Sequence, residues 1–321
     1  MHPVRSASLT AVVLASALAG CGSSSTEPAA AGSTSATTEA SGTRTVQTAL
    51  GPVDVPQDPQ RVVVVQSRAL DLTTALDVPT VGATYWSKAV EVPAYLADKV
   101  PADFALVGND DQPDFEAITA LKPDLIIGDQ TVEKNLATLK DIAPVAAYST
   151  ENAEGQFDWR TQLDQVAEFT GHQEEAKKVE ADFAATVAEL DAGVKTPGQS
   201  VIPLRVRADH VRWHLPGTFI GAHVLDSMKN ITLPEPTVPS ENGRFSIIPA
   251  ERLDTLSADR IFAILDSDEA YTTLQSQSLW QGLPAVKNGG VCVTKNLDAW
   301  ILGGPAASKV VAGDVRACLD A

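Results

Sequence analysis

Cysteine is scarce in this 321-residue chain: Cys21, Cys292 and Cys318 are the only three, and none belongs to a Cys-x-x-Cys pair or a Cys/His cluster. That leaves no zinc-binding pattern. Histidine is scarce too, with five in all. His210 and His214 stand four apart, but in a segment that reads as extended, where that spacing does not bring two imidazoles onto one helical face. No metal site is expected. Positive charge is outweighed, 24 Lys and Arg against 41 Asp and Glu, and the resulting −17 excludes a nucleic-acid binder. Missing as well are the nucleophile elbow Gly-x-Ser-x-Gly, the dinucleotide fingerprint Gly-x-Gly-x-x-Gly, the phosphate loop ending in Gly-Lys-Ser/Thr and the zinc helix His-Glu-x-x-His. The scattered serines, histidines and aspartates have no local arrangement that activates a nucleophile. The chain does not read as an enzyme.

What is present begins with an export signal. Arg5 precedes an apolar run from Leu9 to Leu18, too short to span a bilayer and laid out as a secretory signal over residues 1–20. The run ends in Leu18-Ala19-Gly20-Cys21, which resembles a bacterial lipobox; Cys21 is then the lipidated first residue of the mature chain. Residues 21–43 are rich in Ser, Thr, Ala and Gly without apolar periodicity, and read as a flexible tether.

The rest is long enough for two domains. Residues 44–158 alternate strands and helices: "RVVVVQ", "TVGAT", "DLIIG" and "VAAYS" are apolar runs separated by helical spacing, as in a parallel sheet covered on both faces. Asp114 is placed to cap a short helix, and Asp71 reads as a helix-surface residue. Residues 159–195 read as linking helices, the second ("QEEAKKVEADFAATVAELDA") long enough at about 1.5 Å per residue to act as a strut of about 30 Å. Residues 196–321 restart with "VIPLRVR", an extended arm "DHVRWHLPGTF", and a phrase that repeats the first half. "FEAITALKPDLIIGD" from Phe115 aligns with "AERLDTLSADRIFAILD" from Ala250, pairing Glu116 with Glu251 and Asp124 with Asp259. The expected fold is α/β: two similar lobes with mainly parallel sheets, joined by a long helix, with a ligand cleft between the lobes.

The ordered landmarks "GPVDVPQDPQRVVVV", "DVPTVGAT", "PDFEAITALKPDLIIGD" and "SLWQGLPAVKNGGVCVT…WILGGPAA" resemble those of the helix-linked (class III) substrate-binding proteins of bacterial importers for ferric siderophores, haem and vitamin B12. The resemblance covers everything after the tether. It implies a membrane-anchored lipoprotein outside the cytoplasm that captures a ferric siderophore as a monomer and delivers it to a two-fold ABC permease with its ATPase. It implies no resident cofactor, since iron arrives inside the chelate. It also implies that Glu116 and Glu251, one on each lobe, dock to permease arginines; an acid in the first turn of a helix is the competing reading for both. Haem or cobalamin binding by the same fold, or a structural lipoprotein without transport, are the alternatives.

Ligand crevices of open parallel sheets lie beyond the carboxyl ends of the strands. That rule selects Ser67, Arg68, Tyr85, Trp86, Asp129 and Gln130 in the first lobe, and Arg207, Ser267, Asp268 and Trp300 in the second, with Arg212, Trp213 and His214 on the arm. Guanidinium forks donate to chelate oxygens and aromatic faces cover an apolar frame, so the candidate ligand set is Arg68, Tyr85, Trp86, Arg207, Trp213, His214 and Trp300. Arg205, Arg207 and Arg212 can equally line the solvent face of a strand. Cys292 and Cys318 can pair in an exported protein, although sequence alone does not show that they meet.

Overall fold

The computed structural model describes residues 42–88, 91–218, 220–240 and 243–320. The signal over 1–20, the lipidated Cys21 and nearly all of the tether lie outside the described residues.

A hairpin opens the described residues, β1 (Thr43–Thr48) against β2 (Gly51–Pro56). The first sheet follows: β3 (Val62–Val64), α1 (Ala69–Ala75), β4 (Thr80–Tyr85), β5 (Ala105–Asn109), β6 (Gln112–Pro113), α2 (Phe115–Ala120), β7 (Leu125–Asp129), α3 (Leu136–Lys140) and β8 (Val145–Tyr148). Its strand order is β6-β5-β4-β3-β7-β8, and every pairing is parallel except β5 with β6. Two helices connect, α4 (Trp159–Thr170) and α5 (Gln173–Ala192). Asp158 caps α4 and Gly171 ends it in the left-handed region at φ 83°, where a side chain would be strained.

The second half contains β9 (Gln199–Val206), β10 (Val211–His214), α6 (His223–Asp226), β11 (Ile231–Thr232), β12 (Phe245–Ile248), β13 (Arg260–Leu265), α7 (Asp268–Gln275), α8 (Ser278–Gly282), α9 (Pro284–Lys287), β14 (Val291–Thr294), α10 (Leu297–Leu302) and α11 (Pro305–Asp320). Its order is β12-β10-β9-β13-β14, with β11 also on β9. The pairs β9/β13, β13/β14 and β11/β9 are parallel; β9/β10 and β10/β12 are antiparallel. The segment read as an extended arm is therefore β10, paired between β9 and β12, and Cys292 on β14 is bonded to Cys318 on α11.

The repeated phrase does the same work twice. Asp124 accepts the backbone amides of Gln60 and Arg61 at the entry to β3, and Asp259 accepts the amide and hydroxyl of Ser200 at the entry to β9. Each aspartate pins the start of its own strand to the neighbouring one. The copies differ at the glutamates: Glu116 sits in α2, which Asp114 caps at Ala117 N, whereas Glu251 sits in a 3-10 turn, Ala250–Thr255. Both are exposed.

Strand alternation divides the apolar residues into three cores. Val63, Ile126 and Val145 face the outer side of the first sheet, and Ile202, Leu204, Ile261 and Ala263 the outer side of the second. Val62, Leu125, Val201, Phe262 and Ile264 face a central core, filled by α1, α4, α5, α6, α10 and α11. The last helix thus packs on α1 and α5 rather than only on its own sheet.

Asp71 seals that junction and corrects its reading as a helix-surface residue. It is 1% exposed, and its carboxylate accepts Ala306 N at 2.8 Å and Ala307 N at 2.9 Å, the first amides of α11. An acid from α1 thereby caps a helix 235 residues away. Gly304 admits it: its φ is 142°, and a Cβ there would stand 2.5 Å from the carboxylate. A second tie runs from Asp298 on α10 to Ala94 N at 2.9 Å.

Candidate ligand-binding site

The first lobe offers a partly buried cation. Arg68 follows β3 and occupies the N-cap of α1, where its backbone is already helical. Asp110 holds the turn beneath it, accepting Ser67 N at 2.8 Å, Ser67 Oγ at 2.7 Å and Thr84 Oγ1 at 2.7 Å. The Arg68 guanidinium lies 5.5 Å from the centroid of the Phe157 ring. It forms no hydrogen bond or ion pair among the described residues. Burial lowers its pKa; Tyr148, Asp129 and Asp110 oppose the shift, and Arg244 of the second lobe adds to it. Phe157 stacks in turn on His223 of α6, with centroids 6.2 Å apart, so aromatic rings lead from Arg68 to the second half. Tyr85 is half-buried and Trp86 is 42% exposed, both at the end of β4.

The second lobe offers a face of like charges. Arg205 on β9 stands directly across from Arg212 on β10, and His214 across from Phe245 on β12. Like charges directly opposite each other destabilise a sheet. One carboxylate offsets part of this: Asp266, just after β13, receives Arg205 Nε at 2.6 Å and Nη2 at 3.1 Å, and lies 3.3 Å from Arg207 Nη1. Arg212 lies over the Phe245 ring at 4.4 Å. Its pKa is lowered by burial and by Arg207 and Arg205. His214, buried beside Arg205 and Arg212, is pushed down to about 3 by burial first and those cations second, so its imidazole is neutral at physiological pH.

Among the expected ligand residues, Arg68, Tyr85, Trp86, Arg207 and His214 lie at the sheet ends or on this face. Trp213 and Trp300 do not, and both assignments are corrected. Because the arm is a strand, Trp213 alternates away from Arg212 and His214 into the outer core, where it is 2% exposed. Trp300 lies on α10 in the central core, fully buried, its Nε1 donating to Asp314 at 2.8 Å. Ser267 and Asp268 are structural as well: Ser267 caps α7 at Ala270 N, and Asp268 pairs with Lys295. Sequence reasoning missed Phe157, Arg244, Phe245 and Asp266. Their relevance comes from register and lobe packing, and the only available signal was the Arg-Phe dipeptide at 244–245. Among the described residues no cluster of His, Cys, Asp and Glu is arranged to hold a metal ion.

Comparison with known proteins agrees with this architecture. The chain is 29% identical over 290 residues to the Bacillus subtilis protein named "Probable siderophore-binding lipoprotein YfiY", covering 85% of this chain and 87% of that one. It is 27% identical over 284 residues to the B. subtilis "Fe(3+)-citrate-binding protein YfmC", covering 86% of each. Among solved structures, the FhuD protein from S. pseudintermedius superposes with a TM-score of 0.70 at 25% identity, over 87% of this chain and 98% of that one. Residues 62–297 match the family model described as periplasmic binding protein. With that match spanning most of the chain and the two-lobed fold shared throughout, this protein belongs to the periplasmic binding protein family.

Proposed function

We propose that this protein is the monomeric, lipid-anchored receptor of an ABC importer, which captures an anionic ferric siderophore outside the cytoplasm and passes it to the permease without chemical change. The observation that carries the reading is Arg68: a largely covered guanidinium, with no ion-pair partner among the described residues, on the lobe opposite a face where Arg205 and Arg212 stand side by side. Such a site is electrostatically unfinished, and the negatively charged oxygens of a chelate complete it. Phe157, Phe245 and exposed Trp86 supply faces for the chelate's carbon frame. Iron is cargo within the chelate, so the site needs no resident cofactor. The names of the B. subtilis relatives, one siderophore-binding and one Fe(3+)-citrate-binding, point the same way.

The test is a titration of the chain lacking residues 1–21, following tryptophan fluorescence, with ferric carboxylate, hydroxamate and catecholate chelates, their iron-free forms, haem and cobalamin. Saturation at one ferric chelate per chain, weakened as salt is raised, is the expected result. Saturation by haem or cobalamin alone would overturn the substrate.

Glu116 and Glu251 are exposed, make no ion pair among the described residues, and occupy matching places in the two copies of the repeated phrase. A permease with two-fold symmetry would grip both, and Cys21 would carry the lipid. Reversing both glutamates to lysine should leave chelate affinity intact and abolish uptake in cells; uptake at the wild-type rate would refute the docking role. Cys21→Ser should release the chain from the membrane, and a variant still sedimenting with membranes would refute the anchor.

A further inference from the structure

Arg212 is held by a chain of polar contacts that the binding reading does not require. Its Nε donates to His210 Nε2 at 3.2 Å, and His210 Nδ1 lies 2.8 Å from an Asp209 carboxylate oxygen. A guanidinium has donors only, so His210 Nε2 must be the acceptor and therefore carries no proton. The ring proton then sits on Nδ1 and is donated to Asp209. One tautomer satisfies both neighbours.

The consequence lies at the other end of the arginine. With Nε tethered and the guanidinium stacked over Phe245, Nη1 and Nη2 have no bonded partner among the described residues. These two nitrogens form the edge of the fork that takes two oxygens at once. Without the tether, repulsion from Arg205 directly across the strand pair and from Arg207 would drive the side chain toward bulk water. Asp209 is largely solvated and His210 mostly covered, so the relay runs from the surface inward to the ligand face.

We infer that Asp209 and His210 are positioning residues that fix the Arg212 fork in a pose ready to donate to two ligand oxygens before ligand arrives. This rests on the reading of the arginine face as the chelate site. Pre-organisation of this kind raises affinity because the side-chain entropy is lost on folding rather than on binding.

Two measurements on the soluble chain test it. Imidazole ¹⁵N NMR at neutral pH should show His210 as the Nδ1–H tautomer, and the Arg212 Nε–H resonance should be protected from exchange and become unprotected in His210→Phe. An Nε2–H tautomer, or an Arg212 Nε–H that exchanges freely in the wild-type chain, overturns the proposal without any ligand. The second is a double-mutant cycle with the ferric chelate that saturates the wild-type chain, His210→Phe and His210→Gln each being placed on Arg212 and Arg212→Met backgrounds. His210→Phe should weaken binding about tenfold, and His210→Gln, which restores an acceptor, should recover most of that loss. Neither should matter once Arg212 is gone. Equal losses on both backgrounds would mark a merely structural histidine and overturn the proposal. If no chelate binds at all, the proposed function fails, while the NMR result still decides the positioning claim.

Discussion

Replacing Asp71 by alanine is expected to lower stability by about 2–4 kcal/mol, a fall of roughly 5–10 °C in Tm, read by calorimetry on the soluble chain. The carboxylate is the acceptor for the first two amides of α11, and the alanine variant leaves both buried without partners. Loss of the cap also loosens α11, which packs on α1 and α5. The effect has a pH signature. Burial raises the Asp71 carboxyl from 3.8 to about 6, and the two amide bonds and the neighbouring Tyr95 hydroxyl only partly offset that. Between those values the folded chain holds a proton that the unfolded chain has released, so this group's contribution to stability falls as pH rises from about 4 to about 6. Asparagine keeps one acceptor and cannot ionise. The stability of Asp71→Asn relative to wild type should therefore improve across that window, by on the order of 3 kcal/mol. Parallel profiles for the two proteins would show that Asp71 does not titrate there.

Arg68→Met should separate binding from stability. Removal of a partly desolvated cation that has no ion-pair partner among the described residues is expected to leave Tm unchanged or raise it by a few degrees, since the folded state no longer bears the desolvation cost. The same change should weaken capture of a ferric chelate by about fiftyfold to several hundredfold, the worth of one or two charge-assisted hydrogen bonds in a water-poor setting. A structural arginine gives the opposite pair of results: lost stability and retained affinity. Fluorescence titration and calorimetry on one preparation distinguish the two. Arg205 serves as the contrast, because its bidentate bond to Asp266 makes it part of the scaffold as well as of the charged face.

Much of this was visible in the residues. The helices Trp159–Thr170 and Gln173–Ala192 cover the two segments whose sequence reads as linking helices. The parallel strands follow the apolar runs, and the two copies of the repeated phrase build matching entries through Asp124 and Asp259. The site was less visible. Arg68 and Trp86 follow from the rule about strand ends, which needs only strand boundaries. Trp213 is the harder case, because a segment read only as an extended arm has no inward and outward side. Once it pairs with β9 and β12, alternate residues separate, and Arg212 and His214 part company with the tryptophan. Trp300 was misassigned because a position just past a strand looks the same in sequence whether it lies in a loop or turns into a helix that buries it.

Local chemistry thus sets many of the elements: apolar periodicity, chain breakers and caps such as Asp114 and Asp158 act over a few residues. Contacts between distant segments set the rest. The cross-strand opposition of Arg205 and Arg212, the meeting of Arg68 and Phe157 with the second half, and the capture of α11 by an aspartate 235 residues earlier all depend on register and lobe packing. These are long-range relations that no window of sequence contains, and they turn scattered arginines into a charged face and a surface-looking acid into the latch between the lobes.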